Sequence, residues 1–119
     1  FAGAIDDPAR ILGAFDIFAL SSDTEQMPVS VLEAMAAGLP VASVDVGDVR
    51  DMVSSENQAF VVEREPAALA GAMRALLADD DVRSRIGAAN RAWVRKRYTL
   101  DGMVQAYTEL YASVVPTAA

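Results

Sequence analysis

The chain has 119 residues, 53 % of them hydrophobic and 23 % charged, with ten basic against seventeen acidic side chains and a net charge of −7. That length suits one domain with a packed core, and the acidic balance is the wrong sign for a nucleic-acid binder. Cys and His are both absent, which excludes disulfides, thiolate or imidazole metal sites and Ser-His-Asp chemistry within this chain, and fits a cytoplasmic origin.

The sequence opens on Phe1-Ala-Gly without a Met and is read as a piece cut from a longer protein, with Phe1–Gly3 as the tail of a strand. Asp7-Pro8 then starts a short helix, Asp as N-cap and Pro at the first helical position, with Ile11, Leu12 and Phe15 at helical spacing. Asp16–Leu20 is short and continuously apolar, which predicts a buried strand. Pro28 to Ala37 is a helix that stops at Gly38. Val41–Val44 predicts a second buried strand, followed by the turn Asp45–Asp48, a short helical stretch over Val49–Ser54 and a third strand at Ala59–Val62.

After Pro66 the pattern is wholly helical. Ala67–Ala78 places Leu69, Ala72, Met73, Leu76 and Leu77 on one face; Asp79–Asp81 breaks it; a long helix covers about Val82–Tyr98. Thr99 caps a last helix from Leu100 to about Val115, whose stripe is Met103, Val104, Tyr107, Leu110 and Tyr111. Strand–helix alternation over residues 1–65 and helices over 66–115 define a single α/β unit, a parallel sheet flanked by helices with a helical C-terminal tail. Trp93, Tyr107 and Tyr111 are assigned to core or interdomain packing. Arg91, Arg95, Lys96 and Arg97 form a basic face, read as solvated, with docking on an acidic membrane or partner surface as the alternative.

Two glutamates eight positions apart bracket a helix start. Glu25 lies in the polar loop Ser21–Met27, and Glu33 lies in the otherwise apolar or small-residue helix. A carboxylate among apolar neighbours is costly without a partner. Glu33 therefore has two readings, a ligand contact or a flank residue that snorkels or pairs with an Arg; Glu25, alone, is equally well a solvent or capping residue. In open parallel sheets ligands bind at the carboxyl ends of strands, and the N-terminus of the helix after Pro28 offers free N–H groups to an anion. The donors would be the amides of Val29, Ser30 and Met27, with the Ser30 hydroxyl beside them. Glu33 then stands roughly 7–8 Å along the helix from its start, so a diphosphate at the helix end has one carboxylate on either side. Asp45 and Asp48 around Gly47 read as a turn rather than a metal loop, and no metal site is expected.

The run Ser22-x-x-Glu25, Pro28-x-x-x-Leu32-Glu33-Ala-Met-Ala-Ala-Gly38-Leu-Pro-Val41 and Val46-Gly47 resembles the Glu-x7-Glu region of the retaining glycosyltransferases of family four, the glycosyl transferases group 1 family, and the likeness extends over about residues 1–114. The resemblance implies the second Rossmann-like domain of a GT-B fold, which binds a nucleotide-diphosphate sugar as substrate without a separate cofactor or metal. It implies a donor site at Glu25, Gln26, Met27, Val29, Ser30 and Glu33, with Glu25 on donor-sugar hydroxyls and Glu33 on the nucleotide ribose. The parent would then transfer a hexose-like sugar to an acceptor (sugar, lipid or small molecule) held by an N-terminal domain, and would be cytoplasmic or peripheral at the membrane. Leu20 replaces the family's Pro, Gln26 its frequent Gly, and Asp48 and Asp51 its commoner Gly and Glu. The Arg and Lys that grip the diphosphate in the family lie outside the pattern matched here, so the isolated piece is expected to be inactive. By family topology it also exposes the edge of the strand at Ile17–Leu20, where a homodimer or a rearrangement is expected. The alternatives are a receiver-like regulatory module, for which Lys96 is the sole lysine and sits in a helix, and a structural fragment that binds nothing.

Overall fold

A computed structural model describes residues 3–115. Three parallel strands, β1 (Phe18–Leu20), β2 (Val41–Val44) and β3 (Val61–Val62), lie side by side in chain order. Phe18 is opposite Val41 and Leu20 opposite Ser43, while Ser43 and Val44 face Val61 and Val62 across the other ladder. The helices are α1 (Val29–Ala37), α2 (Val49–Met52), α3 (Pro66–Leu77), α4 (Asp80–Arg97) and α5 (Leu100–Val114). This is the α/β class, with helices crossing between parallel strands.

Each face of the sheet has its own core. Val31 and Met35 of α1 pack with Val41, Val44, Val46 and Met52 on one side. On the other, Ala42 meets Ala72 and Leu76 of α3 and Ile86 of α4. Helix α4 contributes to both cores, since Val94 belongs to the first. Complete burial of a side chain such as Leu76 or Ile86 is worth about 1.5–3 kcal/mol.

Between the two cores a polar cluster is fully paired. Asn57 accepts from the Val41 N–H and donates to the Val41 carbonyl, both at 2.8 Å, so its amide completes the ladder of β2 as a neighbouring strand would. Asn90 of α4 donates to Asn57 Oδ1 at 2.8 Å and to the Leu39 carbonyl at 2.9 Å, and accepts from the Ser54 hydroxyl at 2.7 Å. No buried side-chain nitrogen or oxygen among the described residues lacks a partner, as low-dielectric interiors require.

Several expectations change. The first strand is half-buried, not buried: Phe18 and Leu20 are partly covered and Ala19 is exposed. Its outer edge has no strand partner among the described residues, and α3 covers β2 and β3 instead of the face that carries Ala19. The third strand shrinks to Val61–Val62, because Ser55–Phe60 winds as a 3-10 turn that delivers Asn57 to β2. The short helix at Pro8 is two 3-10 turns, Pro8–Arg10 and Leu12–Ala14; Asp7 offers its carbonyl rather than its side chain, and Leu12 alone of the three apolar residues is buried. The expected strand at Phe1–Gly3 falls mostly outside the described residues, and Gly3 is in no strand. The largest departure is α5. Its stripe is left mostly uncovered by the described residues: Leu100, Met103, Val104, Tyr107, Leu110, Tyr111 and Val114 are each 51–71 % exposed. Tyr107 and Tyr111 are therefore not core residues, whereas Trp93 is partly buried and donates to the Met52 carbonyl at 2.9 Å.

The basic face of α4 is also more structural than expected. Arg91 donates to the Ala36 and Ala37 carbonyls at 3.2 and 2.7 Å, which caps the C-terminus of α1 with a cation. Gly38 closes the same end at φ +84°, a left-handed conformation that suits glycine. Arg97 lies over the Trp93 ring, 5.1 Å from its centre.

Candidate donor-binding site

The site loop, residues 21–28, leaves the carboxyl end of β1 and delivers the chain into α1. Pro28 occupies the N-cap at φ −67°, ψ 116°, and its side chain is buried. No side chain caps the helix. Among the described residues, the N–H groups of Met27, Val29 and Ser30 donate to no carbonyl or side chain, and the first amide engaged is that of Val31, which donates to the Pro28 carbonyl at 3.1 Å. Gln26, Met27, Val29 and Ser30 are exposed. The result is an open helix N-terminus with the positive end of the dipole facing solvent.

Glu25 and Glu33 flank this opening, both half-buried. The burial of Glu33 foreseen from its apolar surroundings is only partial, since it rides the flank of α1 between the buried Val31–Met35 face and solvent. Neither glutamate has an ion-pair partner among the described residues, where the pairs are Arg50–Asp45 and Arg83–Asp80. Both carboxylates therefore keep their acceptor lone pairs for hydroxyl donors.

Of Arg10, Arg50 and Arg64, the last two are bonded to other groups and the first is exposed. Arg50 pairs with Asp45 at 2.8 Å and donates to the Val61 carbonyl at 2.6 Å, so it braces the strand ends. Arg10 lies in the exposed turn Pro8–Arg10. Arg64, two residues beyond β3, donates to the Asp45 carbonyl at 3.3 Å. It also lines a cavity of about 380 Å³ whose other walls include Ser21, Ser22, Asp23, Leu69 and Met73. That cavity is beside the glutamates, not between them: neither Glu25 nor Glu33 lines it. A second hollow, about 520 Å³, runs from Met27 and Leu32 to the root of α5 at Tyr98–Met103. Sequence reading passed over Arg64, whose only signal was a basic residue just past a strand. It placed Gly47 in a turn and in the family pattern but gave no sign of its contact with the Glu25–Gln26 backbone. No group of His, Cys, Asp or Glu among the described residues is arranged to hold a metal ion.

An open helix start at the carboxyl end of a parallel sheet, flanked by two carboxylates, can accept an anion with hydroxyl groups beside it. The family profile described as Glycosyl transferases group 1 matches residues 1–79. The chain is 35 % identical over 100 residues to the D-inositol 3-phosphate glycosyltransferase of Xylanimonas cellulosilytica, covering 83 % of this chain and 24 % of that protein. It is 31 % identical over 114 residues to the lipopolysaccharide core biosynthesis glycosyltransferase LpsE of Rhizobium meliloti, covering 95 % and 34 %. With the N-acetyl-alpha-D-glucosaminyl L-malate synthase of Bacillus anthracis the identity is 26 % over 116 residues, covering 97 % and 30 %. The chain belongs to the glycosyl transferases group 1 family. It spans about a quarter to a third of the length of these curated relatives.

Proposed function

We propose that residues 1–119 form the donor-binding part of a retaining glycosyltransferase, which moves a hexose-like sugar from a nucleoside diphosphate to an acceptor bound by another part of the parent protein. The observation that carries this is the uncapped N-terminus of α1 at the carboxyl end of a parallel sheet, with one unpaired carboxylate on each side. The diphosphate sits on the Val29 and Ser30 amides, with the Met27 amide and the Ser30 hydroxyl as further donors. Glu25 accepts from donor-sugar hydroxyls and Glu33 from the ribose, while Gln26, in place of a glycine, narrows the sugar side. As the glycosidic bond to the diphosphate breaks, negative charge grows on the leaving group, and the helix terminus opposes it. The transfer needs no metal. Both glutamates act as grips rather than as an acid–base pair.

Sugar transfer by the full-length protein rests on groups beyond this donor half, and residues 1–119 alone are inactive in this reading. Alone, they pair through the outer edge of β1 with a second copy, because an unpaired strand edge is a template for another strand; sedimentation as a monomer across the accessible concentration range would sink that point. No helix among the described residues is long and apolar enough to cross a membrane, and the cysteine-free composition suits the cytoplasm, with the parent free to work at a membrane surface. Calorimetric titration of the full-length protein with UDP- and GDP-hexoses tests the site. Glu33→Ala should weaken both the nucleotide sugar and the matching nucleoside diphosphate by about tenfold or more, the scale of a hydrogen bond to a charged group. Unchanged affinity would remove Glu33 from the ribose.

A further inference from the structure

The turn Asp45–Asp48 is bonded on two sides. Toward β3, the Asp45 N–H donates to the Val62 carbonyl at 2.6 Å, and the Asp45 carboxylate holds Arg50, which itself reaches the Val61 carbonyl. Toward the site loop, the Asp48 N–H donates to the Gln26 carbonyl at 2.8 Å. Gly47 lies between these anchors at φ +52°, and the flanking Val46 and Val49 are buried in the first core. A Cβ on Gly47 would collide with the Gln26 carbonyl oxygen and stand 2.7 Å from the Glu25 carbonyl oxygen. Those are backbone atoms on a short loop closed by the buried Pro28, so they cannot yield as the end of a flexible side chain does.

We infer that Gly47 is a positioning residue for Glu25: its bare Cα lets the Asp45–Asp48 turn seat directly beneath the Glu25–Gln26 peptide and sets the height of the Glu25 carboxylate above the helix start. The inference rests on the donor-site reading above and deepens it. Glu33 stands on α1, whose C-terminus is held separately by Arg91 and Gly38. A disturbance at Gly47 therefore moves the sugar side of the site and leaves the ribose side in place. Two mechanisms act at Gly47. A side chain strains a left-handed φ, and it also meets the loop carbonyls. Asparagine tolerates the first and still suffers the second, so Gly47→Asn separates them.

The test uses the full-length protein and a panel of UDP- and GDP-hexoses beside UDP and GDP alone, read by calorimetric titration. Gly47→Ala and Gly47→Asn should lower affinity for the nucleotide sugar about ten- to hundredfold, the range expected for one displaced charge-assisted contact. Affinity for the sugar-free diphosphate should stay within about twofold, a change below the cost of one ordinary hydrogen bond. Glu25→Ala should show the same selective loss, and adding Gly47→Ala to it should cost nothing more, since both remove one contact. Gly71→Ala in α3, where a methyl meets nothing within 4 Å, serves as the control and should change neither affinity. If Glu25→Ala binds normally, the assignment of Glu25 fails, and the inference with it. If Glu25→Ala is selective but the Gly47 variants weaken both ligands alike, or add their loss to that of Glu25→Ala, the donor-site reading stands and the positioning role is overturned. A protein that binds none of the panel overturns both. If Gly47→Ala melts early, Gly47→Asn decides, and equal losses for sugar and diphosphate in it count against the role.

Discussion

Helices α4 and α5 carry the same sequence signals and meet opposite fates. Each begins with a side-chain cap, Asp79 accepting from the Val82 N–H at 2.9 Å and Thr99 from the Gly102 N–H at 3.1 Å. Each carries apolar residues at helical spacing. Helix α4 is rich in Arg and Asp, yet it buries Ile86, Asn90 and Val94 and joins both cores. Helix α5 is the more apolar of the two by sequence and buries none of its residues. Periodicity thus reports that a helix has a face, and only the surrounding chain decides whether that face is covered.

That contrast can be broken first at Ile86. Ile86→Ala should cost residues 1–119 about 2–5 kcal/mol in chemical denaturation, the range for emptying a buried aliphatic site. A loss near zero would mean that α4 does not lock the sheet. The two caps sharpen the comparison at a smaller scale. Asp79→Ala and Thr99→Ala should each remove about 1 kcal/mol of local helix stability. In α4 the loss should lower the melting temperature of the whole unit. In α5 it should raise amide exchange over residues 100–114 and leave the global melt in place, since a helix with no buried residue opens locally. Global destabilisation by Thr99→Ala would show that α5 is coupled to the body. The smallest effect is expected at Leu110→Ala, within about 0.5 kcal/mol as for an exposed surface position. A loss of several times that in the same denaturation series would reveal a covered stripe.

Much of the α/β body was legible because short-range signals and burial agree there. Val41–Val44 is apolar but for one small serine, and all four residues are buried. Gly38 stops α1 where a left-handed residue is needed. What escaped the sequence depended on partners distant along the chain. Nothing local marks Asn57 as a surrogate strand for Val41, or Asn90 as the link from α4 to Asn57 and Leu39. The Asp16–Leu20 run looks fully buried by composition; its edge position and the placement of α3 leave Ala19 in solvent. At the site, the loop, helix start and both glutamates were placed by the Pro28 and Gly38 signals. The packing of Gly47 on the Glu25–Gln26 backbone is a tertiary fact, invisible in a turn motif.

Helix α1 begins with proline, without a hydroxyl, amide or carboxylate to close its first turn. A good N-cap is worth roughly 1 kcal/mol, and α1 forgoes it at the end where its amides face outward. An anion that settles there acts as the cap and couples folding to occupancy: at a hundredfold excess over its dissociation constant it adds about 2.7 kcal/mol to the stability of the folded state. Under the donor-site proposal, heat resistance should therefore climb with the concentration of the diphosphate ligand.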